Sequence, residues 1–294
     1  MDEKDKISHI EPKKKWLDVD IKGLARYKTL YRMNIKRDIV TQYKQTVLGP
    51  LWYLIQPMFT TIMYMFVFGG LAGISTDGVP QPLFYMAGVC LWGYFQQCFT
   101  VCSNVFAANQ GVFGKVYFPR LIVPLSSITS NLIRFAIQLL MFVLIYVYFV
   151  VADKFDLTLG FVEQLGPALG VVLTLVLIPL FVLMVGLHAM SWGLIITSLT
   201  TKYRDLNMLI GFGVQLLMYA TPIIYPLSFA PEQYRIYLNI NPLTPIFEAF
   251  KYTCLGSGTF DVWGMLYSTV TLVVVMFFAV ILFNRTEQRF MDTV

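Results

Sequence analysis

The chain has 294 residues, of which 57% are hydrophobic and 13% charged, against the roughly 25% charged residues of a soluble domain. Its repeated apolar runs of about twenty residues match the ~30 Å hydrocarbon core of a bilayer at about 1.5 Å per residue, which excludes an ordinary water-soluble enzyme. The net charge of +5 does not read as a nucleic-acid surface, because 12 of the 22 Lys and Arg fall in residues 1–50, ahead of the first apolar run, where they suit an anionic membrane surface.

Residues 1–21 are charged and read as a flexible cytoplasmic tail. The first fifty residues are polar and show no cleavable signal peptide, so the first span is expected to serve as the insertion signal. Residues 22–48 read as an amphipathic interface helix. Leu24, Tyr27, Tyr31, Ile35 and Ile39 form an apolar stripe interrupted by Lys28 and Asp38, and Lys22, Arg26, Arg32, Lys36 and Arg37 lie mainly elsewhere. A basic helix of this kind lies in the membrane interface, packs on a partner, or does both.

Residues 49–285 form the membrane domain, with spans expected at 51–71, 83–106, 122–150, 168–198, 206–225 and 263–283. The third and fourth are longer than a crossing needs and are expected to tilt or protrude. Pro179 lies inside the fourth. The third opens on Ser126, Ser127, Thr129, Ser130 and Asn131 and carries Arg134, the only charged residue clearly within a span. Arg134 either reaches back along that polar start toward the cytoplasm or lines a pathway. Segment 226–258 contains Pro226, Pro231, Pro242 and Pro245 and closes on Gly256 and Gly258. It is too apolar for a solvated loop and too short for two crossings, which need about forty residues. Short re-entrant helices are expected there, shielded by protein or lining a cavity. Residues 286–294 are a cytoplasmic C-terminal tail. The fold class is an all-α membrane protein with six transmembrane helices.

Loop charges give the orientation. With the N-terminus inside, the cytoplasmic side holds eighteen Lys and Arg; the outer loops hold Lys154, Arg235 and Lys251. Both termini are therefore expected in the cytoplasm.

No catalytic constellation appears. His188 stands alone in the fourth span and reads as a packed or hydrogen-bonded residue. Cys98 and Cys102, four apart, lack a metal-site pattern and read as packing residues along with Cys90 and Cys254. A GxxxxGK[ST] phosphate loop is missing, so any ATP and Mg chemistry is expected on a separate chain, with no cofactor on this one. The shortage of embedded acids argues against an ion-driven carrier. The two inner loops, Gln110–Arg120 and Lys202–Asp205, are short and patterned, as suits force transmission from a soluble partner, although positive-inside anchoring accounts for their charge equally well.

Residues 37–57, RDIVTQYKQTVLGPLWYLIQP, carry Arg37-Asp38, Tyr43, Leu48-Gly49, Trp52 and Pro57. Phe118-Pro119-Arg120, Tyr203-Arg204-Asp205, Thr221-Pro222-Ile223 and Asn241-Pro242 follow in order. Over about residues 30–285 the chain resembles the membrane subunit of ABC-2 type polysaccharide exporters, the O-antigen, capsule and teichoic acid export permeases. The resemblance implies a homodimer bound to two ATP-binding cassette subunits in the bacterial cytoplasmic (inner) membrane. It implies outward transport of a glycan on a polyprenyl diphosphate carrier, and a coupling helix between spans two and three.

In that setting Trp52, Tyr53, Phe59, Tyr64, Tyr219 and Tyr225 are candidates for a glycan channel, because aromatic faces stack on sugar rings and Tyr and Trp also donate hydrogen bonds. Trp52 and Tyr53 fit an interfacial aromatic belt equally well. Lys36, Arg37 and Lys44 are candidates for the carrier diphosphate or lipid headgroups. Phe113, Lys115, Tyr117, Phe118, Pro119, Arg120, Lys202, Arg204 and Asp205 are candidates for coupling to the ATPase. The alternative is an ABC-2 permease for drug or other lipid efflux. A membrane enzyme would need clustered acids or histidines, and a passive channel would not depend on an ATPase.

Overall fold

The computed structural model describes residues 26–44, 48–113, 118–152, 154–155, 160–203 and 205–293. Among these are eleven α-helices and no strand: α1 (Lys28–Tyr43), α2 (Trp52–Tyr64, continued by π-helical turns over Met65–Leu71), α3 (Gln81–Ser103), α4 (Val105–Phe113), α5 (Ile122–Val151), α6 (Gly160–Leu165), α7 (Pro167–Thr200), α8 (Leu206–Tyr219), α9 (Glu232–Ile240), α10 (Thr244–Leu255) and α11 (Val262–Thr293).

Among the described residues, four stretches are long and apolar enough to cross a membrane: Trp52–Leu71, Ile122–Val151, Ala168–Thr200 and Val262–Gln288. They coincide with the first, third, fourth and sixth expected runs. The second run is α3, and it is the centre of the bundle. Leu83, Phe84, Tyr85, Leu91, Phe95 and Cys98 on it are all fully buried, and it packs against α2, α5, α7 and α10. The fifth run ends as a helix at Tyr219, six residues before the expected 225. The reason lies in Thr221-Pro222: proline has no N–H to donate and pushes the residue before it out of the α region. The sixth run is longer than expected; α11 continues unbroken past 285 to Thr293.

Close approach of α3 and α7 depends on small residues. A Cβ added at Gly186 would lie 2.5 Å from Tyr94 Oη, and one added at Gly193 would lie 2.5 Å from Cys102 Cβ. Two glycines seven apart on one helix face are the membrane-protein device for bringing backbones together. All four cysteines are buried and free, within this packing.

Segment 226–258 contains two short helices. At about 1.5 Å per residue neither α9 nor α10 reaches across a bilayer. On α9, Ile236, Tyr237 and Ile240 are exposed, whereas α10 is almost wholly inside the bundle, with Phe247 6.2 Å from the Trp92 ring. Two recognisable motifs are fastened together here. Asn241 Nδ2 donates to Thr221 Oγ1 (2.8 Å) and to the Ala220 carbonyl (3.1 Å), and its Oδ1 accepts from Leu243 N–H (3.0 Å). Lys251, 1% exposed, donates to the carbonyls of Pro222 and Tyr225, lies 3.7 Å from Glu248 and sits over the Phe84 ring. The turn after α8 is thus held from both short helices. Gly256, in the left-handed region at φ +69°, closes α10.

Within the expected 22–48 stretch a helix, α1, runs from Lys28 to Tyr43 and ends before 48; residues 22–25 and 45–47 lie outside the described residues. Tyr27, just before α1, and Tyr31 on it face protein. They pack on a second apolar cluster built around Phe106, Phe113 and Phe283, and a hydrogen bond joins Tyr31 Oη and Thr129 Oγ1 at 2.6 Å.

Candidate functional site

A cavity of about 400 Å³ opens between α2, α3, α5 and α8. Each helix contributes residues spaced three or four apart, the spacing that keeps side chains on one face. They are Tyr53, Gln56, Pro57, Thr60 and Tyr64 from α2, Trp92, Gly93, Gln96 and Gln97 from α3, Asn131, Arg134, Phe135 and Gln138 from α5, and Gly211, Gln215 and Met218 from α8. Amides and aromatic rings alternate around this wall. Amides donate and accept, the rings offer flat apolar faces, and together they complement a ligand made of hydroxyls and C–H faces.

Pro57 shapes the α2 side. It lies inside the helix and has no N–H, so the Tyr53 carbonyl loses its usual i+4 donor. Gln138 Nε2 donates to that carbonyl at 3.3 Å. One turn earlier on α5, the Arg134 guanidinium sits 5.3 Å from the centre of the Tyr53 ring. Tyr64 Oη reaches Met218 Sδ at 3.4 Å across the cavity's far side. Gln56, Gln96, Gln97 and Gln215 are exposed, so the cavity is open along an edge to which α2, α3 and α8 contribute.

Of the expected channel residues, the structure brings Tyr53 and Tyr64 to this wall. Trp52 (49% exposed), Phe59 (65%) and Tyr219 (48%) do not line it and face outward. Tyr225 does not line it either, and its hydroxyl donates to the Tyr219 carbonyl at 3.0 Å. Arg134, read two ways from the sequence, lines the cavity. Sequence reasoning missed the glutamines Gln56, Gln96, Gln97, Gln138 and Gln215. Polar residues three or four apart inside apolar runs, such as Gln56 with Thr60 and Asn131 with Arg134 and Gln138, were the available signal.

Lys36, Arg37 and Lys44 are exposed on or just after α1 and do not line the cavity, with Arg37 paired to Asp38 at 2.9 Å. Among the expected coupling residues, Lys115, Tyr117 and Arg204 lie outside the described residues. Phe113, Phe118 and Arg120 are buried in the second cluster. The Arg120 guanidinium donates to the carbonyls of Phe113 and Glu287, both at 3.4 Å, lies 3.7 Å from the Glu287 carboxylate, and covers the Phe113 ring. It therefore ties the end of α4 and the start of α5 to α11. Pro119 is half-buried, whereas Lys202 and Asp205 are exposed at the start of α8. His188 is buried between α7 and α11, with a 3.1 Å hydrogen bond between its Nε2 and Ser268 Oγ.

The profile of the ABC-2 type transporter family matches residues 29–255, which takes in every helix that lines the cavity. The chain belongs to the ABC-2 type transporter family. Curated relatives of this ABC-2 transporter include an O-antigen export system permease protein RfbA of Klebsiella pneumoniae, 25% identical over 258 residues that cover 87% of this chain and 91% of the relative. A Myxococcus xanthus protein of the same name is 21% identical over 277 residues, 93% of this chain and 98% of the relative. The polysialic acid transport protein KpsM of Escherichia coli is 22% identical over 262 residues, 87% of this chain and 93% of the relative.

Proposed function

We propose that this ABC-2 transporter is the membrane subunit of a polysaccharide exporter and that the cavity between α2, α3, α5 and α8 is part of the path taken by the glycan. The single observation that carries this is the wall itself. Glutamines from all four helices alternate with Tyr53, Tyr64, Trp92 and Phe135, a lining suited to sugar hydroxyls and ring faces. A drug or lipid path would favour a continuous apolar seam. The names of the relatives, O-antigen and polysialic acid transport, agree with a saccharide cargo.

The open edge supports a homodimer. Exposed glutamines facing hydrocarbon would leave amides unsatisfied at a cost of several kcal/mol each. A second copy placed against α2 and α8 would cover them and turn two half-open cavities into one channel. Gly211, four residues before Gln215 and with open space where a Cβ would project, lets another helix approach that face of α8 closely.

Six crossings complete the reading, with α3 spanning at the centre of the bundle, α8 at its edge where the second copy would pack, and α9 and α10 dipping into the outer leaflet. Both termini are cytoplasmic, α1 lies along the membrane interface, and Lys202 and Asp205 face two ATP-binding cassette subunits that supply ATP and Mg. The membrane is the bacterial cytoplasmic membrane, and the cargo is a glycan on a polyprenyl diphosphate carrier. Inverted membrane vesicles containing the protein and its co-purifying ATPase test this. ATP-dependent uptake of lipid-linked glycan, lost in a Gln56→Leu/Gln97→Leu double variant that retains basal ATP hydrolysis, is expected. ATP-driven efflux of apolar dyes with no glycan uptake would contradict it.

A further inference from the structure

We propose that Arg134, with Asn131 and Gln138 on the same face of α5, forms a recognition site inside the membrane for an anionic oxygen group, phosphoryl or carboxylate, on the transported chain. The proposal rests on the reading of the cavity as the glycan path.

Depth is the first reason. Arg134 lies twelve residues beyond the start of the 30-residue α5, about 18 Å along its axis, close to the helix midpoint. A charge at mid-membrane is costly and is found where it faces a water-filled cavity or a functional site. Arg134 lines the cavity, so its charge meets the path and not lipid.

The second reason is the set of donors around it. Asn131, Arg134 and Gln138 are three and four residues apart, which places all three on one stripe of α5. Asn131 is 3% exposed, lines the cavity, and its Nδ2 has no hydrogen-bond partner beyond a weak contact of the side chain with the Cys98 thiol. A buried amide N–H left without an oxygen acceptor is uncommon and calls for an explanation; a ligand oxygen supplies one. Gln138 gives an N–H to the Tyr53 carbonyl and has a second to offer. The guanidinium is held against the Tyr53 ring, so its planar fork is oriented before a ligand arrives.

The third reason is the field. None of the described residues lining the cavity is Asp or Glu, so the wall presents no negative charge that would repel an anionic group on the path. Planar two-oxygen groups, carboxylate or phosphoryl, match a guanidinium flanked by amides. The phosphoryl group would come from a lipid carrier, the carboxylate from acidic sugars in the polymer.

The test uses the full chain in lipid nanodiscs, as wild type, Arg134→Gln and Arg134→Lys. Four probes are titrated: farnesyl diphosphate, farnesol, a galacturonic acid oligomer, and a maltose oligomer of equal length. At least one anionic probe is expected to bind Arg134→Gln about tenfold or more weaker than wild type, with Arg134→Lys recovering much of the loss, as a charge-assisted contact requires. Farnesol and the maltose oligomer should change by less than about twofold in either variant. Dependence confined to farnesyl diphosphate identifies a carrier phosphate as the ligand, and dependence confined to galacturonate identifies acidic sugars. Wild-type protein that binds neither anionic probe overturns the proposal. An equal loss of the maltose oligomer in Arg134→Gln also overturns it, because Arg134 would then be only a prop for Tyr53. Arg134-dependent anion binding with no binding of the maltose oligomer to wild type would leave the anion site standing and remove the glycan path.

Discussion

Gln138 Nε2 lies 3.3 Å from the Tyr53 carbonyl oxygen, the acceptor that Pro57 deprives of its helical donor. A defect in one helix is thereby repaired by a side chain of another, and the repair sits in the cavity wall. Replacing Gln138 with Leu leaves that carbonyl unsatisfied and should destabilise the protein by about 1–3 kcal/mol. Pro57→Ala restores a backbone N–H, so Gln138→Leu should cost less in that background. Thermal unfolding of the four proteins in detergent measures the cycle; equal costs in both backgrounds would dissociate Gln138 from Pro57.

Gly193 brings α7 within reach of Cys102 on α3. Gly193→Ala should lower stability by about 1–3 kcal/mol through overpacking. Cys102→Gly added to it should return part of the loss, which the same melting experiment reads.

The buried pair of Glu248 and Lys251 secures the turn after α8. Lys251→Met leaves the Glu248 carboxyl buried without its cation and should cost about 3–5 kcal/mol. Glu248→Gln/Lys251→Met removes both charges and should cost less. Measured expression and melting temperature should rank the double variant above the Lys251 single variant.

Arg120 looked from the sequence like a surface residue for a partner, yet it is 4% exposed and bound to Phe113 and Glu287. Arg120→Glu should insert normally but export less, because two carboxylates then face each other where α4, α5 and α11 meet. A charge-swapped Arg120→Glu/Glu287→Arg protein should recover part of the export rate. Failure of the swap, with the fold intact, would assign Arg120 to a partner contact instead.

The apolar runs made the long helices legible, because length and hydropathy alone specify a span. Pro222 marks the end of α8, but the apolar Ile223 and Ile224 carry the hydrophobic run on past it. The cavity was not legible. Gln56, Gln138 and Gln215 are single amides in separate apolar stretches, and only the packing of α2, α5 and α8 brings them together. Aromatic content pointed to Tyr53 and Tyr64 but equally to Phe59, because composition does not say which face of α2 turns inward.

The glycan path through this cavity is the central claim, and cross-linking from the wall during export tests it most directly. A photoreactive phenylalanine derivative placed at Gln97, and at exposed Val274 on α11 as the control, is illuminated in membranes exporting polymer with ATP. Polymer adducts at position 97 and none at 274 are expected, with the signal lost when ATP is omitted. Continued export without any adduct at 97, or equal adducts at both positions, would contradict the account.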